Sequence, residues 1–299
     1  MRMNRKSFAY SEQVVSVAKP LNVASITVAQ EESGVVDSLL HPLAILIRQV
    51  LTRHGRMESG LILIDDEENI MQALEAGVEI HSIYYSSDEA PSRQLIRKLP
   101  FGTSIHEVAK RTCKKLFEND KISRVFAIAH TPTPRRLDSL LETSRDMVAL
   151  EDLTISGNIG AIIRTSLAFG AGAIVLLNTQ PADIYDRRLI RASRGHVFSL
   201  PIVTATTEEF IEFCQQHQIP ILVMAVQADH AVPDVASFAG RLMIVFGSEK
   251  DGCSETLTKA SALQVQIPTD AKVESLNVST AAGIMLYSRA WFNLPQVRK

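Results

Sequence analysis

Leu242-Met-Ile-Val-Phe246, running into Gly247-Ser-Glu-Lys-Asp-Gly-Cys-Ser254, is the stretch on which the reading of this chain turns. Five apolar residues closed by glycine and polar residues predict a buried strand with an abrupt end. Gln264-Val-Gln-Ile-Pro268 repeats the pattern. It leads through residues 269–274 to Ser275-Leu-Asn-Val-Ser279 and an amphipathic helix ending near Trp291. A strand that stops in this way leaves backbone N–H and C=O groups unpaired at its carboxyl edge, and in open α/β sheets that edge binds ligands. Asn277 or Ser275 is placed to cap the last helix, where Val278, Ala281, Ala282, Met285 and Leu286 keep helical spacing.

Composition bounds what surrounds these loops. A length of 299 residues with 46% apolar content allows two domains, each with its own core. No apolar run reaches the roughly eighteen residues of a membrane span, and the basic start MRMNRKSFAYSEQ is followed by no signal-peptide core. Cys113, Cys214 and Cys253 are odd in number and lack metal-ligand spacing, as expected of reduced thiols in a cytoplasmic protein. Neither a membrane nor a metal is expected.

The net charge of −2 hides an uneven distribution. Residues 31–89 hold twelve acidic and three basic side chains, whereas residues 91–136 hold eleven basic and three acidic ones. The second block suits an anionic partner. Residues 1–35 show no strong period. Pro42 starts a helix striped by Leu43, Leu46, Ile47, Val50 and Leu51 and stopped at Gly55. Strands are expected at 61–64, 80–85 and 124–129, and helices at 67–75 and after Pro91. Ser104 with Glu107 forms a capping-box pattern opening a helix. Lys110, Arg111, Lys114 and Lys115 lie off its apolar side and, with Arg124 and Arg135, are the expected contacts to a phosphate backbone. Alternating helices and strands make residues 1–135 an α/β/α N-terminal domain. Its boundary is the linker Thr131-Pro-Thr-Pro-Arg-Arg136, stiff, polar and solvated.

The second domain, residues 136–299, opens with a short helix at 137–143 and a strand at 147–150. Asn158 is placed as N-cap of an apolar helix reaching Phe169. Arg164 stands among Ile162, Ile163 and Leu167, awkward for a cation unless its head reaches a functional pocket or a partner subunit. Gly170-Ala-Gly follows a helix and opens a strand, the reverse of a dinucleotide fingerprint, which excludes a Rossmann cofactor site. Arg187, Arg191 and Arg194 recur at helical spacing as a second basic stripe; residues 197–203 and 221–226 read as strands around a helix at 208–217.

Asn158-Ile-Gly-Ala-Ile-Ile-Arg164, Phe246-Gly-Ser-Glu-Lys-Asp-Gly252, and Ile267-Pro with Ser275-Leu-Asn-Val-Ser279 together resemble the three motifs of the SPOUT class of RNA methyltransferases, in its SpoU/TrmH branch of ribose 2′-O-methyltransferases. Asp186-Arg-Arg-Leu-Ile-Arg-Ala-Ser-Arg-Gly195 with Phe198-Ser-Leu-Pro201, and Glu107-Val-Ala-Lys-Arg-Thr-Cys-Lys-Lys-Leu-Phe117, are similar to the thiostrepton- and nosiheptide-resistance methyltransferases. The likeness runs from about residue 40 to 292. It implies a C-terminal α/β trefoil knot that holds S-adenosylmethionine, an N-terminal domain like a ribosomal-protein RNA-binding fold, and a homodimer with active sites near the interface. The implied substrate is an adenosine ribose in the GTPase-associated centre of large-subunit rRNA, whose methylation blocks thiopeptide antibiotics. Two rivals stay open: the same chemistry on another rRNA or tRNA ribose, and a non-catalytic RNA-binding knot protein.

The chemistry asks for alignment of a methyl donor with a hydroxyl and for stabilisation of a developing alkoxide. The resemblance gives the central role to Arg164. A guanidinium stays protonated and is a poor base, so Arg164 is read as the electrostatic partner of the ribose oxygen. Asn158 then orients the acceptor or Arg164, Glu249 fixes a guanidinium by a bidentate contact, and Ser275 and Asn277 complete the pocket. Met224, Gly247, Ile267 and Leu276 are carried over as cofactor-binding positions, with Arg194 as a contact to the cofactor carboxylate or to RNA.

Overall fold

Apolar runs that the sequence marks as strands become the interiors of two sheets. A computed structural model describes residues 34–118, 120–179, 181–248, 250–270 and 272–293. The chain divides into Met1–Ser33, outside the described residues together with the reading made of it, and Gly34–Lys299.

The first sheet holds β1 (Leu61–Asp65), β2 (Ile80–Ser86), β3 (Ser104–Val108) and β4 (Val125–His130) in the order β1-β4-β2-β3. β1 and β2 pair antiparallel with β4, and β3 runs parallel to β2. Every residue of β1 is buried, as a continuous Leu-Ile-Leu-Ile run demands. Ahead of it, the helix Pro42–Val50 starts at His41, whose Nδ1 accepts from Leu43 N at 3.2 Å, and buries Leu43, Ala44, Leu46, Ile47 and Val50.

Two local expectations fail here. Gly55 does not stop the first helix: it sits inside a second one, Arg53–Ser59, capped by Thr52. A Cβ at Gly55 would lie 2.0 Å from Gln49 O, so glycine is required by the close crossing of the chain. Ser104 and Glu107 open no helix. Residues 104–108 are β3, paired in register with 82–86, and the helix begins only at Lys110. A ladder along the whole segment outweighs one capping signal.

The second sheet contains β5 (Met147–Glu151), β6 (Ile174–Leu177), β7 (Ile202–Ala205), β8 (Ile221–Met224), β9 (His230–Ala231), β10 (Met243–Phe246) and β11 (Leu263–Gln266). All pair in parallel, in the order β7-β6-β5-β10-β8-β11-β9. From β5 the chain builds outward through β6 and β7, then crosses over to add β8, β10 and β11 on the other side. The sheet therefore has a topological switch point between β5 and β10, where open α/β sheets place their ligand crevice.

Residues 197–203 are not one strand. A 3₁₀ turn, His196–Phe198, follows Gly195 at φ +76°, and β7 begins at Ile202. The proline-rich linker is not wholly solvated: Arg135 forms a parallel bridge with Val203 beside the edge strand β7, and Thr131 N donates to Gly60 O at 2.8 Å. Among the described residues, no helix is long and apolar enough to cross a membrane.

Candidate active site

The carboxyl ends of β8, β10 and β11 open onto one cavity of about 510 Å³, inside the range of about 300–1,000 Å³ usual for small-molecule sites. Met224, Gly247, Ile267, Ser275 and Leu276 line it. Its wall is mixed: backbone at the strand ends, apolar side chains from Met224, Ile267 and Leu276, and hydroxyls from Ser248, Thr269 and Ser275. This set suits a ligand with a flat apolar ring and several hydrogen-bonding groups.

The loop after β10 is a tight turn. Ser248 N donates to Gly252 O at 3.1 Å and Gly252 N to Ser248 O at 3.0 Å; a Cβ on Gly247 would meet Gly252 O at 2.1 Å. Glu151, buried at the end of β5, anchors the loop's far side by accepting from Ser254 N at 2.7 Å and Thr207 Oγ1 at 3.2 Å. An acidic residue ending an apolar strand was the visible but unread signal for this role. Cys253 lies between them, and burial, then the Glu151 carboxylate, pushes its thiol up to about 12. Glu249 lies outside the described residues.

The third motif meets the first through a pair of asparagines. Asn277 Nδ2 donates to Asn158 Oδ1 at 3.2 Å, while Asn277 Oδ1 accepts from Ser279 N at 2.9 Å and Ser279 Oγ at 2.6 Å. Asn277 thus caps the last helix, Val278–Asn293, as its position predicts. Asn158 is no N-cap. The helix Ser156–Ala168 begins from Ile155, leaving Asn158 inside its first turn with its side chain turned to Asn277.

The arginines separate. Arg164 is exposed and does not line the cavity, and its side chain makes no hydrogen bond or ion pair with the described residues. Six residues past Asn158, it stands about 9 Å further along the helix and on a different face. Its neighbour is His196, whose imidazole is lowered by burial first and by Arg164 next. Arg194 is also off the cavity, at φ +51° and 3.5 Å from Glu68. Arg187 and Arg191 form no basic stripe for an outside partner; they are turned inward onto Asp65 and Asp120.

The basic block is partly neutralised in space by the acidic block before it. Lys110 pairs with Asp88 and Arg124 with Glu89, both at 2.7 Å, and the Lys110 bond leads the effects that pull Asp88 down to about 2. Arg111, Lys114 and Lys115 are exposed and make no ion pair among the described residues. Arg135 borders a separate cleft of about 360 Å³ with Tyr185 and Phe198, whose rings stack 5.7 Å apart. Among the described residues, no group of three or more His, Cys, Asp or Glu is set to hold a metal ion.

The cavity at the ends of β8, β10 and β11, with Leu276 and Val278 in its wall and the Asn277–Asn158 bond next to them in the chain, makes this an α/β fold suited to holding a small molecule beside polar side chains. Residues 146–287 match the SpoU rRNA methylase family, and residues 33–143 match the N terminus of thiostrepton-resistance methylases. A 23S rRNA (adenosine(1067)-2′-O)-methyltransferase of Streptomyces azureus is 36% identical over 87% of this chain and 97% of its own. One of the same name from Streptomyces laurentii is 38% identical over 83% and 92%. The crystal structure of the SpoU methyltransferase AviRb from Streptomyces viridochromogenes, in complex with AdoMet, superposes with a TM-score of 0.73 at 26% identity, over 83% of this chain and 97% of that one. The chain belongs to the SpoU rRNA methylase family, with the N-terminal part of its thiostrepton-resistance members.

Proposed function

We propose that this protein methylates the ribose 2′-oxygen of one adenosine in the GTPase-associated centre of 23S rRNA, with S-adenosylmethionine as donor, and so gives resistance to thiopeptide antibiotics. The observation that carries the reading is the strand-edge cavity lined by Leu276 and Val278, on either side of the Asn277 that bonds Asn158, in a chain 36–38% identical to relatives named for that reaction. S-adenosylmethionine supplies an electrophilic methyl group on a sulfonium, which passes to the ribose oxygen as the S–C bond breaks and the O–C bond forms.

The chain's own residues do the rest. Met224, Ile267 and Leu276 give the donor's adenine an apolar slot, with backbone groups at the strand ends to read its edge. Asn277, held by Ser279, fixes the amide of Asn158, which orients the incoming ribose. Arg164 stabilises charge on the oxygen as the hydroxyl proton passes to solvent water, an electrostatic role that suits a group unable to act as a base.

Arg164 is exposed and off the cavity of its own chain, which fits completion of the site in a homodimer. Ile284, Tyr287 and Trp291 recur along one stripe of the last helix and are 36–51% exposed, and Phe169 packs edge-on against Tyr287. Large apolar side chains in such a stripe mark a contact surface. We place the RNA-holding function in residues 1–135, through Arg111, Lys114 and Lys115, and catalysis in residues 136–299, with the C-terminal segment threaded as a knot. A substrate on the ribosome puts the protein in the cytoplasm.

The test is to incubate the protein with labelled S-adenosylmethionine and 23S rRNA transcripts, then map alkali-resistant linkages. One protected adenosine ribose in the expected hairpin is the predicted result. Label on a base, on tRNA or at another ribose overturns it.

A further inference from the structure

Arg187 is only 7% exposed although it carries a permanent charge. Its Nε donates to Asp65 Oδ2 at 2.5 Å, Nη2 donates to the Lys121 carbonyl, and the guanidinium lies 4.3 Å from the Phe117 ring centroid. One turn on, Arg191 reaches Asp65 Oδ2 at 3.3 Å and Asp120 Oδ1 at 2.9 Å. Arg56, itself 6% exposed, returns the bond from the other side, reaching Asp186 Oδ2 at 3.1 Å. Every one of these pairs joins the first-sheet part of the chain to the single segment 186–191.

That segment has no room to slide. A Cβ on Gly195 would come within 2.7 Å of Gln72 Cβ and 3.1 Å of Asn69 Cα, on the first-sheet side. On the opposite side, a Cβ on Gly160 would come within 2.5 Å of Ala192 C and 2.7 Å of Ser193 N. Gly160 sits in the helix Ser156–Ala168, two residues after Asn158 and four before Arg164. Segment 186–196 is thus wedged between the first sheet and the helix that carries the acceptor-orienting residues, with backbone against backbone on that second face.

Buried ion clusters add little net stability, because desolvation offsets their attraction. What they do supply is one permitted geometry, since shifting the segment takes Arg187 and Arg191 together off the buried Asp65 carboxylate. We infer that Arg187 is a positioning residue: through segment 186–196 it sets the angle and distance at which RNA held by the first-sheet part meets Asn158 and Arg164. The inference rests on the rRNA-methylating reading above. It differs from a structural role in its consequence. RNA is gripped on one side of the seam and the methyl donor on the other, so loosening the seam leaves both affinities intact and lowers turnover. A misplacement of about 1 Å can cost about a hundredfold in rate.

The test uses the full-length protein with Arg187→Lys and the double variant Arg187→Met with Asp65→Leu, which removes both charges together and leaves Arg191 paired with Asp120. Dissociation constants for S-adenosylmethionine and for the rRNA hairpin, kcat at saturating RNA, and the unfolding temperature are measured together. The expected result is a folded double variant with both dissociation constants within twofold of the parent and kcat down by about a hundredfold; Arg187→Lys, which keeps the charge but not the planar fork, falls between them. Unchanged kcat in the folded double variant overturns the inference, as does a loss lying wholly in either affinity. Should the double variant fail to fold, Arg187→Lys alone decides by the same split. Should the parent itself methylate no rRNA, the functional reading has failed separately, and hydrogen exchange decides the coupling: faster exchange across 156–168 in the variant supports it, and parent-like exchange there overturns it.

Discussion

Asn277 and Asn158, separated by 119 residues, meet side chain to side chain at 3.2 Å, and the same Asn277 caps the last helix through Ser279. One amide therefore ties the start of Val278–Asn293 to the first turn of Ser156–Ala168. Asn277→Asp keeps the capping oxygen but sets a carboxylate against Asn158 Oδ1. We expect it to keep the parent's unfolding temperature and lose turnover. Asn277→Ala is expected to lose both, with about 1 kcal/mol of stability for the cap. Thermal unfolding and methylation assays read the two effects; full activity in Asn277→Asp removes the pair from the mechanism.

Arg164 separates an enzyme from a binding module. If it stabilises charge that develops only in the transition state, Arg164→Ala lowers turnover by about a hundredfold or more, with RNA and cofactor affinities moving far less. Arg164→Lys is expected to restore little, because a point charge on a flexible stem does not reproduce a planar fork. Sedimentation of parent and variant accompanies the assay: an inactive variant of lower mass than the parent assigns Arg164 to a subunit interface instead.

The unpaired part of the basic block is where RNA contact is expected. Lys114→Ala with Lys115→Ala is expected to weaken rRNA binding and to lower its salt slope by about two, as two lost phosphate contacts would. Cofactor affinity stays at the parent's value. Binding of the double variant at parent strength in moderate salt makes these lysines a solvated face.

The three thiols are held protonated in the fold. Burial leads the rise of each, Cys113 to about 11, Cys214 and Cys253 to about 12, from an ordinary value of 9.0. At pH 8 a disulfide reagent is expected to find no reactive thiol in the native protein and three after denaturation. The linkage has a sign: above about pH 9 the unfolded chain gives up thiol protons that the folded one keeps, so stability falls as pH rises further. Rapid labelling of native Cys253 contradicts the assignment.

Methyl transfer from a sulfonium needs alignment and charge stabilisation from the protein, so chelators are expected to leave activity intact. Activity lost to chelation and restored by a divalent ion contradicts this.

Much of the fold is legible along the chain because burial on both faces writes a continuous apolar run. Leu61-Ile-Leu-Ile64 and Leu242-Met-Ile-Val-Phe246 read as strands and are strands. Gly247, at the cavity, was legible for a related reason, since it ends such a run, whereas Ser275 lies nine residues past a strand that alternates polar and apolar residues. The errors fall where a local signal was equivocal. Ser104 and Glu107 satisfy a capping pattern, yet the backbone groups from 104 to 108 are satisfied by β2 instead.

By itself, then, the sequence determined which strand segments are buried and where strand edges carry glycine and hydroxyls. Only the tertiary structure decided what each cation faces. Arg187 and Arg191 share helical spacing with Arg194, but two turn inward to Asp65 and Asp120 while the third stays at the surface beside Glu68. Periodicity along a chain ranks faces by polarity and cannot distinguish water from a distant carboxylate, since both satisfy a guanidinium. Which of them does so depends on partners 71 to 126 residues away, and that is settled only when the two parts of the chain pack.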